Sequence, residues 1–195
     1  MLIKIPNEVD LFQAHSALSD HDRLKRSYGI RSADAGFGEC LDVAILMGTY
    51  NGAKFLGEQL ASIERQTHKQ WTLHVSDDGS QDATIDLLEE IQLRLGEARI
   101  RAVRGPGRGF VVNFLSLACN EEIKANFYAW CDQDDIWCED KLAVALEWLK
   151  TVPDDKPALY CGRTELVSEF GLSIGRSPLF VHAPSFANAL VQNIG

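Results

Sequence analysis

The sequence predicts an α/β protein built around a parallel sheet, and three stretches carry that expectation. Val43-Ala44-Ile45-Leu46-Met47 is a nearly continuous apolar run, the pattern of a parallel strand covered on both faces. It gives way to a glycine-punctuated loop and then to apolar residues at helical spacing, and the order strand, loop, helix repeats from Trp71. Phe127-Tyr128-Ala129-Trp130-Cys131 is a further apolar run that ends in Asp132-Gln133-Asp134-Asp135. Carboxylates therefore emerge at the carboxyl end of a strand, where open parallel sheets place their ligands.

A chain of 195 residues buries one substantial core and leaves little room for an independent second domain. Its 46% hydrophobic and 24% charged residues are those of a soluble globular protein. The formal net charge of −9 runs against a nucleic-acid binder, which carries a basic footprint, although local basic patches can still serve an anionic small molecule. No apolar stretch reaches the length of a membrane span, and the start lacks the flank and apolar segment of a signal peptide; peripheral membrane contact stays open. Cys40, Cys119, Cys131, Cys138 and Cys161 are scattered, odd in number and form no CxxC pair. They read as buried or incidental thiols in a reducing compartment, and no nearby His completes a zinc site around Cys131 and Cys138.

Residues 1–41 hold a short apolar group, Leu2, Ile3, Ile5, Val9, Leu11 and Phe12, suited to covering a sheet edge or a dimer contact. Together with the charged stretch that follows, they read as a loosely attached extension or a docking segment. The fold itself begins at Leu41. After the first strand, Gly48-Thr49-Tyr50-Asn51-Gly52 allows close backbone turns, Asn51 or Thr49 can cap the next helix, and Tyr50 offers an aromatic face. Phe55, Leu56, Gln59, Leu60 and Ile63 follow at helical spacing as a core face. Trp71 to Val75 alternates like a strand and ends at Ser76-Asp77-Asp78-Gly79-Ser80. Ser80 is suited to cap a helix carrying Ile85, Leu88, Ile91 and Leu95, with Asp82 in its first turn and Gly96 as its stop. Capping does not explain Asp77 and Asp78, which are expensive to bury unpaired; a carboxylate there can accept the imide N–H of uracil or thymine, a donor that adenine lacks.

Ile100 to Val103 reads as a short strand. The Arg104-Gly105-Pro106-Gly107-Arg108-Gly109 loop after it suits an approach to phosphates, and equally an ordinary surface turn, so Arg108 is either a diphosphate contact or a solvated cation. Phe110, Phe114, Leu117 and Ala118 outline a helical face with Asn113 beside it, and Leu142, Ala145, Leu146 and Leu149 outline another that starts near Glu139. Ala158 to Cys161 and Thr164 to Val167 read as short strands, Glu169 to Gly175 as a turn region, and His182 as a structural or surface histidine. There is no G-x-G-x-x-G after a strand, no G-x-x-x-x-G-K-[ST], no HExxH and no GxSxG, which turns the reading away from dinucleotide binding, P-loop chemistry and the hydrolases that use those devices.

The acidic cluster carries the chemistry. In an extended or turning segment Asp132 and Asp134 can face one site, and their oxygens are the hard ligands that Mg²⁺ or Mn²⁺ takes together with a substrate diphosphate. Like charges packed this closely repel unless a cation or backbone donors offset them, which favours a binding site over a solvated acidic turn with Asp135 as a cap.

Taken together, Met47-Gly48-Thr49-Tyr50-Asn51-Gly52, Ser76-Asp77-Asp78-Gly79-Ser80-Gln81-Asp82, Gly109-Phe110-Val111-Val112-Asn113-Phe114 and Cys131-Asp132-Gln133-Asp134-Asp135-Ile136-Trp137 resemble the nucleotide-sugar-binding part of glycosyltransferase family 2, especially its rhamnosyltransferase-like members. The resemblance covers about residues 42–193 and implies a GT-A fold, a Rossmann-like α/β sandwich, over 42–195, with 1–41 as an amino-terminal extension. It implies a UDP- or dTDP-sugar donor, dTDP-rhamnose among them, with Mg²⁺ or Mn²⁺. Thr49, Tyr50, Asn51, Asp77, Asp78, Arg108, Asn113, Asp132 and Asp135 then form the donor-binding set, with Asp77 on the pyrimidine and Asp134 and Asp132 as metal ligands. The implied reaction is inverting transfer to a saccharide or lipid-linked acceptor in surface polysaccharide synthesis, in the cytoplasm at the inner membrane face. Such proteins continue beyond the position of Gly195, and their base aspartate lies in that continuation, so the domain reads as truncated on its acceptor side and the catalytic base is unassigned. A catalytically silent nucleotide-sugar-binding or assembly module, and a sugar nucleotidyltransferase, are the competing readings.

Overall fold

A computed structural model describes residues 2–4, 41–168 and 170–177. In chain order these form β1 (Leu2–Lys4), β2 (Val43–Thr49), α1 (Ala53–Glu64), β3 (Trp71–Asp77), α2 (Thr84–Leu95), β4 (Ile100–Arg104), α3 (Phe110–Ala118), β5 (Phe127–Cys131), α4 (Lys141–Leu149), β6 (Ala158–Tyr160), β7 (Glu165–Val167) and β8 (Ser173–Arg176). A six-stranded sheet has the order β4-β3-β2-β5-β1-β6, and β7 and β8 make a separate hairpin.

Strands β2 to β5 are mutually parallel, with Val43 beside Trp71 and Phe127, and Met47 beside Val75 and Cys131. The two apolar runs that define the predicted pocket thus lie side by side and point the same way. The sequence-adjacent units step from β2 to β3 to β4 on one side, whereas β5 returns to the other side of β2. The order reverses between β2 and β5, which is where sheets of this kind open a crevice at their carboxyl ends.

Both faces of β2 are covered, and this accounts for its unbroken apolar run. Val43, Ile45 and Met47 pack in the larger core with Leu56, Leu60, Ile63, Leu88, Ile91, Leu142, Leu146 and Leu149 from α1, α2 and α4. Ala44 and Leu46, the alternate residues, pack with Leu117 of α3 and with Ile123. Each such Val, Leu, Ile or Met side chain, fully buried, contributes roughly 1.5–3 kcal/mol.

Several expectations are corrected. Leu2–Lys4 is not a loose extension at an edge: it is an antiparallel strand inside the sheet, between β5 and β6, and Lys4 Nζ donates to Val152 O and to Asp154. Phe55 and Ile85 lie outside the core faces of their helices, at 42% and 37% exposure. Neither Asn51 nor Thr49 caps α1, and Ser80 does not cap α2. One carboxylate serves both helix starts, because Asp82 accepts the N–H of Ala53 and the N–H and hydroxyl of Thr84. Gly96 does end α2, at φ +85°. Of the stretch read as a turn, Ser173–Gly175 belongs to strand β8. His182 lies outside the described residues. Among the described residues the cysteines, Cys119, Cys131, Cys138 and Cys161, are free thiols, and no helix is long and apolar enough to cross a membrane.

Candidate active site

A cavity of about 660 Å³ opens at the carboxyl ends of β2, β3 and β5. Gly48 and Thr49 contribute from β2 and Tyr50 from the loop after it, Asp78 and Gly79 from the loop after β3, and Gly107, Gly109, Phe110, Asn113 and Phe114 from the β4–α3 turn and α3. Asp132, Gln133 and Asp134 close it from β5. Of the residues expected to bind donor or metal, Thr49, Tyr50, Asp78, Asn113, Asp132 and Asp134 meet here. Asn51, Asp77, Arg108 and Asp135 are not among the lining residues.

Asp77 is the informative departure. It is 4% exposed, and its carboxylate accepts four bonds: Gly79 N–H at 3.0 Å and Ser80 N–H at 2.8 Å on Oδ1, and the hydroxyls of Thr49 at 2.8 Å and Ser80 at 2.6 Å on Oδ2. A carboxylate offers about four acceptor positions, so none is left for a pyrimidine N–H. Burial raises the carboxyl's pKa, but the bonds from Ser80, Thr49 and Gly79 outweigh it and hold Asp77 below the usual carboxylate range. Asp77 ties the ends of β2 and β3 together behind the cavity, and the carboxylate on the wall is Asp78.

Asp78 organises the glycine loop. Its Oδ1 accepts Gly107 N–H at 2.6 Å and Arg108 N–H at 3.3 Å, and its Oδ2 accepts Gly109 N–H at 2.6 Å. Gly107 at φ +65° and Gly109 at φ +90° supply the left-handed turns that aim these N–H groups inward. The Arg108 backbone is thereby used, while its exposed side chain lies off the lining. Asn113, 2% exposed, anchors the same region: its Nδ2 donates to Ser76 O at 2.6 Å, and its Oδ1 accepts the Ser76 hydroxyl at 2.6 Å. A Cβ at Gly105 would collide with Asn113 Oδ1, so this position admits only glycine without a shift. Asn51, at φ +48°, is likewise a strut: it receives Gln81 N–H on Oδ1 and gives its own N–H to Ser80 Oγ, each at 2.8 Å.

The acidic loop rests on a polar seam along α1 and the turn after it, of which the sequence reading placed only Gln59 on the buried face. Gln59 Nε2 donates to Cys131 Sγ, Ser62 Oγ accepts Trp137 N–H, and Gln66 donates to Cys138 O and accepts Leu142 N–H. These polar residues are fully buried at core-facing positions, and the spacing Gln59, Ser62, Gln66 was the available signal. Burial pushes the Cys131 thiol up to about 12, so it is an inert core residue beneath the acidic loop. Trp137 is buried beside it and Ile136 is exposed. Phe110, 76% exposed, and Phe114, whose ring lies 5.4 Å from that of Trp130, are further lining residues that sequence read only as a helix face.

Asp132 keeps contact with solvent, yet the surrounding chain and then the charges of Asp135 and Asp134 raise its carboxyl above the usual range. Among the described residues no group of three or more His, Cys, Asp or Glu side chains could hold a metal ion. Two crowded carboxylates facing an open cavity nevertheless fit Mg²⁺ or Mn²⁺, which bind through one or two carboxylates with substrate phosphates completing the shell.

Fold and site together define an α/β domain that takes a small ligand at the switch point of a largely parallel sheet. Residues 44–178 match the family described as glycosyl transferase family 2, and the chain belongs to that family. It is 33% identical over 109 residues to the dTDP-rhamnosyl transferase RfbG of Shigella flexneri, covering 53% of this chain and 36% of that protein. It is 26% identical over 145 residues to the putative teichuronic acid biosynthesis glycosyltransferase TuaG of Bacillus subtilis, covering 73% of this chain and 53% of that protein. The chain thus spans about a third to a half of the length of these relatives. The mannosyltransferase PcManGT of Pyrobaculum calidifontis, solved with GDP-Man and Mn²⁺, superposes with a TM-score of 0.50 at 23% identity, covering 55% of this chain and 32% of that one. The fold is GT-A, as the sequence predicted.

Proposed function

We propose that this chain forms the donor side of a metal-dependent inverting glycosyltransferase that takes a UDP- or dTDP-sugar. The observation that carries the reading is one cavity faced by Asp78 at one wall and by Asp132 and Asp134 at another. Asp78 has three acceptor positions filled by the glycine loop, and the fourth accepts the imide N–H of uracil or thymine. Tyr50, 56% exposed, offers its ring to the nucleoside. Asp132 and Asp134 would hold Mg²⁺ or Mn²⁺, which would supply positive charge to offset that of the departing diphosphate. The name of RfbG supports dTDP-rhamnose as the donor, and that of TuaG, from teichuronic acid biosynthesis, supports a polysaccharide product; a saccharide or lipid-linked acceptor at the inner membrane face is carried by the family resemblance alone. The base that deprotonates the acceptor is not assigned to a residue of this chain.

Calorimetry with UDP, dTDP, GDP and ADP, each with Mn²⁺ and with EDTA, tests this. UDP or dTDP should bind tightest and should weaken in EDTA. Preferential binding of ADP would reject the role of Asp78, and affinity indifferent to metal would reject that of Asp132 and Asp134. Donor binding with no sugar transfer to any matched acceptor would favour a silent binding module.

A further inference from the structure

The two halves of the cavity are joined by one side chain that lies between the proposed metal ligands. Tyr50 N–H donates to Gln133 Oε1 at 2.9 Å, and Gln133 Nε2 donates to Tyr50 O at 3.1 Å. The amide pairs with both main-chain groups of one residue, as a neighbouring strand would. Space for it is provided by Gly52, where an added Cβ would collide with Gln133 Oε1 and lie 2.5 Å from its Cδ. Gly52 sits at φ −98°, ψ 5°, a conformation open to any residue, so its lack of a side chain serves the amide rather than the backbone.

We propose that Gln133 is a positioning residue that couples the acidic loop to the Tyr50 loop, so that metal with diphosphate at one end and nucleoside at the other are bound by a single preorganised unit. The inference rests on the reading of the cavity as the donor site. Without the amide, a ligand gripped at both ends must order the two loops itself, and affinity falls; a ligand gripped mainly at the nucleoside end loses little.

The test is the Mn²⁺ enhancement of UDP affinity, measured by calorimetry in Mn²⁺ and in EDTA for the full chain, Gln133→Ala and Gly52→Ala. Loss of a paired amide should cut the enhancement about tenfold, while affinity in EDTA stays within about threefold. Gly52→Ala should do the same by displacing the end of a flexible side chain, although residue 52 offers no metal ligand. Exchange of the Tyr50 amide, followed without ligand, should quicken in both variants at unchanged melting temperature. An unchanged enhancement in either variant overturns the coupling, as does an equal loss in Mn²⁺ and EDTA, which would mark collapse of the pocket. Absence of UDP binding by the parent chain overturns the donor reading and the coupling with it, and is recognised because the exchange contrast at Tyr50 persists.

Discussion

Asp77→Asn tests the carboxylate that fastens β2 to β3 behind the cavity. In the parent, Oδ2 takes the hydroxyls of Thr49 and Ser80, and Oδ1 takes the N–H groups of Gly79 and Ser80, all within 3.0 Å. Asparagine keeps one acceptor oxygen. Turned toward the two backbone N–H groups, it sets its NH2 against two hydroxyls that must then accept rather than donate. Hydrogen bonds to a charged acceptor contribute about 1.5–3 kcal/mol, against roughly 0.5–1.5 kcal/mol for neutral pairs. With two bonds weakened and two reversed, and hydroxyl rotation recovering part, the expected loss is about 2–4 kcal/mol. The loss should depend on pH. Because hydrogen bonds hold the folded carboxyl below its usual range, its contribution is fully present above the unfolded pKa of about 3.9 and is lost as pH falls through the folded pKa. Urea unfolding of parent and variant at pH 7 and at a series of lower pH values that passes through the folded carboxyl's titration reads both effects. A difference below about 0.5 kcal/mol at pH 7, or one of the same size in acid, would refute the assignment.

Two further substitutions probe the loop's support and its charge. Gln66→Met leaves the first-turn Leu142 N–H of α4 without its acceptor in a fully buried site, which should cost about 2–4 kcal/mol and lower the melting temperature by roughly 5–15 °C; a shift under about 2 °C would show that the seam is dispensable. Asp134→Asn should weaken UDP binding more in Mn²⁺ than in EDTA, whereas Asp82→Asn, which perturbs two helix starts, should lower stability with little effect on that ratio. An Asp134→Asn chain with unchanged metal-dependent affinity would remove it from the ligand set.

How much of this was legible follows from where each signal resides. Strands β2, β3 and β5 were readable because burial on one or both faces writes itself into a local apolar pattern, and α4 because Leu142, Ala145, Leu146 and Leu149 are all buried at helical spacing. β8 is exposed at every residue and leaves no such pattern. β1 has only three residues, and its partners Ala129 and Tyr160 are far away in sequence, so its pairing could not be seen locally. Asp82 was read into the first turn of α2, but it lies just before the N-cap residue Ala83, and its second duty, to Ala53, is a contact across the chain.

The site shows the same limit within a single dipeptide. Asp77 and Asp78 are chemically identical neighbours, and successive residues leaving a strand face opposite ways, so one step of register decides which carboxylate meets the ligand. The sequence Ser76-Asp77-Asp78-Gly79-Ser80 is nearly indifferent to that step. The choice is made by partners elsewhere: the Thr49 hydroxyl, aligned with Asp77 by the β2–β3 register, draws it inward, and the N–H groups of residues 107–109 draw Asp78 outward to the rim. On the proposed reading, selectivity for a pyrimidine rests on Asp78, yet it depends on a glycine loop that follows another strand. Replacing Gly107 or Gly109, whose N–H groups hold Asp78, should lower the ratio of UDP to ADP affinity measured by calorimetry, and an unchanged ratio would detach base preference from this loop.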